Sequence, residues 1–172
     1  AKIAAINLHT NLDVCPGGVN DVLAETLGLT DVSVLNPVGT DAQGRPYGLI
    51  RTGMVREQRL AEFAAFVKSA LSCPGLRFAD AGKPVRRVAV GGGSCGGAID
   101  DVLAAGCDTL VTADLKYNHF EEAKYRGLNL IDAGHFETEN PVCAVLERVV
   151  REALPELTVL RAKAHKDETQ FL

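Results

Sequence analysis

The sequence predicts an α/β fold built on a mostly parallel sheet. Three observations carry this. Short runs rich in Val, Leu, Ile and Ala alternate with helical stretches along most of the chain, the rhythm of βαβ units. Hydrophobic residues make up 47% of the 172 positions while aromatics are only 5%, which suits aliphatic strands buried on both faces. Glycine and proline punctuate the runs, and no low-complexity linker divides them, so one domain is expected over residues 1–172.

In chain order, Ile3 to Leu8 reads as a strand that begins abruptly, which suggests a preceding segment. Pro16-Gly17-Gly18 makes a turn, and Asn20 to Leu27 a helix closed by Gly28. Val32 to Leu35 is a strand. Asp41 to Pro46 forms a polar turn, and Tyr47 to Thr52 is its hairpin partner. Glu57 to Leu71 is amphipathic, with Leu60, Phe63, Ala64, Val67 and Leu71 on one stripe. Strands follow at Arg87 to Val90, Thr109 to Thr112 and Leu128 to Asp132. Helices are expected at Ala98 to Ala105, Tyr117 to Tyr125 and Pro141 to Leu154. A last strand is expected at Leu157 to Leu160.

Composition narrows the function classes. The net charge is −4 and the pI about 5.6, with no basic tail, which argues against a nucleic-acid grip. No apolar run has membrane-spanning length, and no signal-peptide pattern opens the chain. The five cysteines are scattered without a C-x-x-C pair. Reduced thiols in a cytoplasmic protein are the simplest expectation.

Two polar motifs stand just past expected strands: His9-Thr10-Asn11-Leu12-Asp13 and Gly134-His135-Phe136-Glu137-Thr138-Glu139. Each offers a His and a carboxylate four residues apart. In α/β sheets functional groups gather beyond the carboxyl ends of the strands, and imidazole with carboxylate is a donor set for a divalent ion. Plainer roles stand beside this. Glu139 can complement a helix dipole, His135 can be a loop hydrogen-bonder, and Asp13 can cap a turn. The pairing occurs twice, which favours the metal.

Gly91 to Gly97 lies between a strand and a helix. Gly92, Gly93 and Ser94 can offer amides to an anion, or the glycines can serve close packing. The G-x-S-x-G pattern at Gly92 to Gly96 also permits a Ser94 nucleophile, which ranks below both. Asp114 is a candidate N-cap or the orienting partner of a ligand histidine. His165 is expected in a solvated tail. Cys95, at a helix N-terminus, is a thiol whose pKa can fall there, but with no base nearby it reads as packing.

Together these motifs, with Pro16 to Asp21, Leu27-Gly28-Leu29 and Thr112-Ala113-Asp114-Leu115-Lys116-Tyr117, resemble the Nif-three-like family, dinuclear-metal-centre hexameric proteins also known as GTP cyclohydrolase 1 type 2 homologs. The resemblance covers nearly the whole chain. It implies a three-layer α/β fold with a mixed, mostly parallel sheet, a homohexamer, and a two-metal centre whose ion (Zn, Mn, Fe or Mg) it does not specify. By motif position Asp13, His135 and Glu139 look like metal ligands, and His9 like a ligand or close neighbour.

Two departures matter. The family's His-His-Pro motif, which supplies further ligands, has no counterpart here, so the chain is expected to lack the amino-terminal half. Many relatives carry a histidine at the position of Asn118, whereas here it is His119. The expected activity is a metal-dependent hydrolase acting on a nucleotide or other phosphorylated small molecule. Lys116 is a second candidate for the phosphate. The competing expectation is a non-catalytic, metal-binding oligomeric scaffold for a protein partner.

Overall fold

The computed structural model of the chain describes residues 2–172. Two short helices open it, α1 (Thr10–Val14) and α2 (Val19–Thr26), followed by strand β1 (Thr30–Leu35). A small two-stranded ribbon, β2 (Gly39–Thr40) and β3 (Pro46–Tyr47), precedes β4 (Ile50–Gln58) and helix α3 (Leu60–Ala70). Then come β5 (Arg77–Ala79), β6 (Val85–Ser94), a 3₁₀ turn at Gly96–Ala98 and α4 (Ile99–Ala104). The remainder is β7 (Thr109–Ala113), α5 (Tyr117–Tyr125), β8 (Asn129–Asp132), α6 (His135–Glu139) and α7 (Val142–Ala153).

Six strands form one mixed sheet in the order β1-β4-β6-β7-β8-β5. The pairs β6–β7 and β7–β8 are parallel, and the other three are antiparallel. Following these pairings, β1, β6, β7 and β8 all run one way, so four of six strands share a direction. The parallel strands are the buried ones. Neighbours along each strand point to opposite faces, and both faces are covered. Val88, Val90, Val111 and Ile131 pack under α2 and α3 with Leu23, Phe63 and Val67. Ala89, Leu110 and Leu130 pack under α4 and α5 with Ile99, Val102 and Ala123. Three layers result, and aliphatic runs without alternation are what such strands require.

Several local expectations are corrected. Ile3 to Leu8 is irregular and outward-facing, with Ile6 86% exposed. It has the apolar signal of a strand but no partner ladder among the described residues. Leu157 to Leu160 is likewise irregular. Tyr47 pairs back to Gly39 in the small ribbon, while β4 is the partner of β1. Glu57 and Gln58 extend β4 rather than opening α3. The glycine run is not a loop at its start, since β6 continues through Ser94. Edge strand β5 is too short to leave a periodic signature.

Helix α2 ends as its sequence suggests. Gly28 takes φ +67, a left-handed conformation that costs glycine little. The consequence for the site is at the other side of the molecule. Strands β6, β7 and β8 end together: Gly93 lies at the end of β6, Asp114 follows β7, and His135 opens α6 just after β8.

Candidate metal centre

Helix α6 begins directly after β8, so its first residue, His135, stands at the sheet end. Glu139 lies one turn on and shares its face. His135 Nε2 is 3.1 Å from Glu139 Oε1. On the opposite side of the ring, Nδ1 is 2.7 Å from Oδ2 of Asp114, from the loop after β7. This is the orienting contact that metal-bound imidazoles use. With the Nδ1 proton donated to Asp114, Nε2 presents a lone pair toward Glu139. Two acceptors in that arrangement require a cation or a proton between them.

The first motif arrives from another direction. His9 precedes α1, with its carbonyl accepting the Leu12 amide at 2.7 Å and its Nδ1 3.0 Å from Thr10 Oγ1. Asp13 follows one turn later. All four expected donors, His9, Asp13, His135 and Glu139, line one cavity of about 610 Å³. The structure thus brings both motifs to a common pocket. Among the described residues, however, no group of three or more His, Cys, Asp or Glu side chains stands close enough to hold an ion. Of the four expected donors, His135 and Glu139 are in direct contact, and Asp13 and His9 line the same cavity.

The electrostatics agree with that picture. Burial raises the Asp13 carboxyl above its ordinary range, against the pull of His9 and His135. Burial also raises Glu139, reinforced by the charge of Asp13 and opposed chiefly by His135. For His135 burial works downward, but the carboxylates of Asp114 and Glu139 outweigh it and the imidazole is raised. Burial drives the two carboxyl shifts, and neighbouring carboxylates drive that of His135 and add to that of Glu139.

Gly93 shapes the floor. It has φ +64, and a Cβ there would lie 2.5 Å from Glu139 Oε1 and 3.2 Å from His135 Nε2. The backbone passes beneath the pair where any side chain would fill the space. The nitrogen and oxygen donors of His135 and Glu139, oriented by Asp114 over this cradle, are of the chemistry that suits a divalent ion, and Asp13 and His9 line the same cavity.

The other candidates sort cleanly. The Gly92 amide donates to Asn20 Oδ1 at 2.6 Å and the Gly93 amide to Thr138 Oγ1 at 3.0 Å. These amides already have partners and are not free for an anion, so the run serves close packing. Ser94 borders a different cavity, walled by Leu35, Val38 and Leu49 and containing no histidine, which removes the triad geometry. His119 does not line the cavity that holds His135 and Glu139. It accepts the Lys116 amide at 3.2 Å and packs against Gly96. Cys95 is buried, and desolvation pushes its thiol up to about 11 rather than down.

His165 corrects an expectation. Its ring lies 4.9 Å from that of Phe136, tilted by 52°, and it lines the cavity with Lys166. The tail therefore crosses the site. Lys116, weighed from sequence as the phosphate contact, is outside that lining, and Lys166 stands in it. A polar tail with no periodicity gave no signal for this placement.

The sequence model of Duf34/NIF3 (NGG1p interacting factor 3) matches residues 1–168. The chain belongs to the Duf34/NIF3 family. Among curated relatives, the GTP cyclohydrolase 1 type 2 homolog of Nostoc sp. is 39% identical over 154 residues, covering 87% of this chain and 57% of that protein. The homolog of the same name from Clostridium perfringens is 30% identical over 166 residues, covering 95% of this chain and 63% of its own. The chain thus spans about three-fifths of the length of these relatives. Staphylococcus aureus hypothetical protein SA1388 superposes with a TM-score of 0.85 at 27% identity, over 96% of this chain and 67% of the other. A Bacillus cereus protein related to NIF3 superposes at 0.82 over 95% of this chain and 72% of the other; at 24% identity that likeness speaks to the fold. The three-layer architecture is that of the Duf34/NIF3 family.

Proposed function

We propose that this NIF3-family chain binds a divalent metal ion through His135 and Glu139, with Asp13 as a third ligand and His9 assisting, and that the site hydrolyses a nucleotide or other phosphorylated small molecule. The observation that carries the reading is the His135 ring held between two carboxylates, Asp114 on Nδ1 and Glu139 at Nε2. The relatives' name, GTP cyclohydrolase 1 type 2 homolog, supports a hydrolytic class and a nucleotide as the first substrate to try.

Each side chain has a definable task. Asp114 fixes the tautomer and plane of His135. Gly93, lacking a Cβ, lets the backbone pass beneath His135 and Glu139 without crowding either. Lys166 faces the cavity as a cation able to meet phosphate oxygens. A divalent ion, when bound, supplies Lewis acidity that makes water a nucleophile near neutral pH. By resemblance a complete relative holds two ions per site.

The test is a titration of chelator-treated protein with Co²⁺, Mn²⁺ and Zn²⁺, beside His135→Ala and Glu139→Ala, followed by turnover of a panel of nucleotides and phosphoesters. Retention of an ion by the parent protein alone, with metal-dependent turnover, is the expected result. Failure of the parent protein to bind any of the three ions overturns the reading. Ion binding without turnover of any panel member favours a second reading, a non-catalytic oligomeric scaffold for a protein partner. Exposed Val149 and Val150 on α7 and Leu154 just past its end support self-association in either case, and sedimentation across a wide concentration range measures it.

A further inference from the structure

The two donor-bearing segments do not touch the sheet independently. Asn20, on α2, is fully buried. Its Nδ2 donates to the Asp13 carbonyl at 3.0 Å, and its Oδ1 accepts the Gly92 amide at 2.6 Å. Thr138, on α6 between His135 and Glu139, is equally buried. Its Oγ1 accepts the Gly93 amide at 3.0 Å and lies 2.8 Å from the Gly134 carbonyl and 3.0 Å from that of His135. Two successive amides at the end of β6 are therefore read by two side chains, one from each half of the site. Buried groups paired in this way, out of reach of solvent, hold their geometry firmly, because leaving one unpaired costs about 1–3 kcal/mol.

From this geometry we infer that Asn20 and Thr138 are positioning residues: acting through the adjacent amides of Gly92 and Gly93, they set the separation between the Asp13 loop and the His135–Glu139 helix. The inference rests on the metal reading for its purpose, but not for its observable. Thr138 supplies the acceptor for the Gly93 amide, and Gly93 lies directly beneath the His135–Glu139 pair. Loss of that hydroxyl frees the cradle from α6. Loss of the Asn20 amide frees the Asp13 backbone from β6. Neither residue touches the ion position itself, so each acts only through the spacing of the groups that do.

The test compares Thr138→Val, which keeps the shape and removes the hydroxyl, with Thr138→Ser, which restores it, and with Asn20→Ala. Two readouts are taken: Co²⁺ affinity by titration, and the imidazole nitrogen resonances of His135 in metal-free protein. Thr138→Val is expected to weaken Co²⁺ binding by about 10-fold or more, as loss of an orienting partner does, and to shift the His135 resonances. Thr138→Ser is expected to stay near the parent on both. Asn20→Ala is expected to weaken Co²⁺ as Thr138→Val does. In the double variant the two losses are expected to fall short of additive, since both loosen one spacing.

A merely structural role lowers melting temperature without separating Val from Ser on either readout. Equal loss in Val and Ser, or no change in affinity and resonances for Thr138→Val, overturns the inference. If the parent protein binds no Co²⁺, the metal reading falls while the His135 resonances still decide this one. If Asn20→Ala does not fold, the Val and Ser pair decides alone.

Discussion

Asp114 holds Nδ1 of His135 at 2.7 Å from a backbone at φ +53. A non-glycine residue in the left-handed region carries about 1 kcal/mol or more of strain, although Asp tolerates it better than most. The loop is kept there by Asp132. That carboxylate accepts the Leu115 amide at 3.1 Å and the Gly134 amide at 3.3 Å, and pairs with Arg77 from β5. The loops after β7 and β8 are thus tied to one another, with Asp114 and His135 at their tips.

From this arrangement, Asp114→Ala is expected to lower Co²⁺ affinity by about 10–100-fold, the usual scale for an orienting partner of a metal-binding histidine. Asp114→Asn keeps an acceptor for the Nδ1 proton and is expected to lose less. Both side chains are about half exposed, so the change in folding stability should be small. Isothermal titration with Co²⁺, read beside a thermal melt, separates the two effects.

Gly93 supplies a steric prediction. Gly93→Ala places a methyl against Glu139 and His135 at φ +64, so it is expected to destabilise the fold by about 1–3 kcal/mol and to abolish ion binding. Gly97→Ala is the control, because a Cβ there meets nothing within 4 Å and the change should be near neutral. Urea denaturation of the two variants measures the difference.

The parts of this site legible in the sequence are those that lie close together along the chain. His135 and Glu139 share one helical turn, and His9 and Asp13 flank another, so spacing alone suggested both pairs. What escaped is tertiary. Asn20 meets Gly92 across 72 residues and Thr138 meets Gly93 across 45, and neither contact has a local signature. Central strands β6, β7 and β8 are readable because burial on both faces leaves long aliphatic runs. Edge strand β5 and the tail carrying His165 take their places from neighbours rather than from periodicity.

The buried thiols give a pH dependence. Desolvation pushes Cys73 and Cys95 up to about 11, from an ordinary value of 9.0. A group whose folded pKa is raised contributes its stability below the unfolded value and loses it as pH climbs through the folded one. The protein is therefore expected to lose stability between about pH 9 and pH 11, by at most about 2–3 kcal/mol per thiol. Cys95→Ala should flatten part of that decline, which denaturation curves at pH 8 and pH 10.5 can resolve. At pH 8 the native protein should also leave both thiols slow to react with a disulfide reagent until it is unfolded.

Arg51 provides the stability prediction with the widest reach. It projects from β4, is 1% exposed, and pairs with Asp21 through Nε. Nη1 donates to the Gly48 carbonyl at 2.6 Å, while Nη2 reaches the carbonyls of Val14 and Cys15 at 3.4 and 3.5 Å. Asp21 in turn accepts the Gly17 amide at 2.6 Å. One guanidinium therefore fastens the turn after α1 to the sheet, immediately behind Asp13. Arg51→Met removes every one of these donors at once and strips the Asp21 carboxylate and the buried Gly48 carbonyl of their guanidinium partner, while the Val14 and Cys15 carbonyls keep the amides of Gly48 and Gly18, so a loss of about 3–5 kcal/mol is expected. Asp21→Asn should cost less, because that side chain is about a third exposed and water can replace part of what it loses. If the clamp also holds Asp13 in place, Arg51→Met protein kept folded at low temperature should bind Co²⁺ more weakly than the parent. Unchanged affinity in that folded variant would show that Asn20 alone suffices to seat the Asp13 loop.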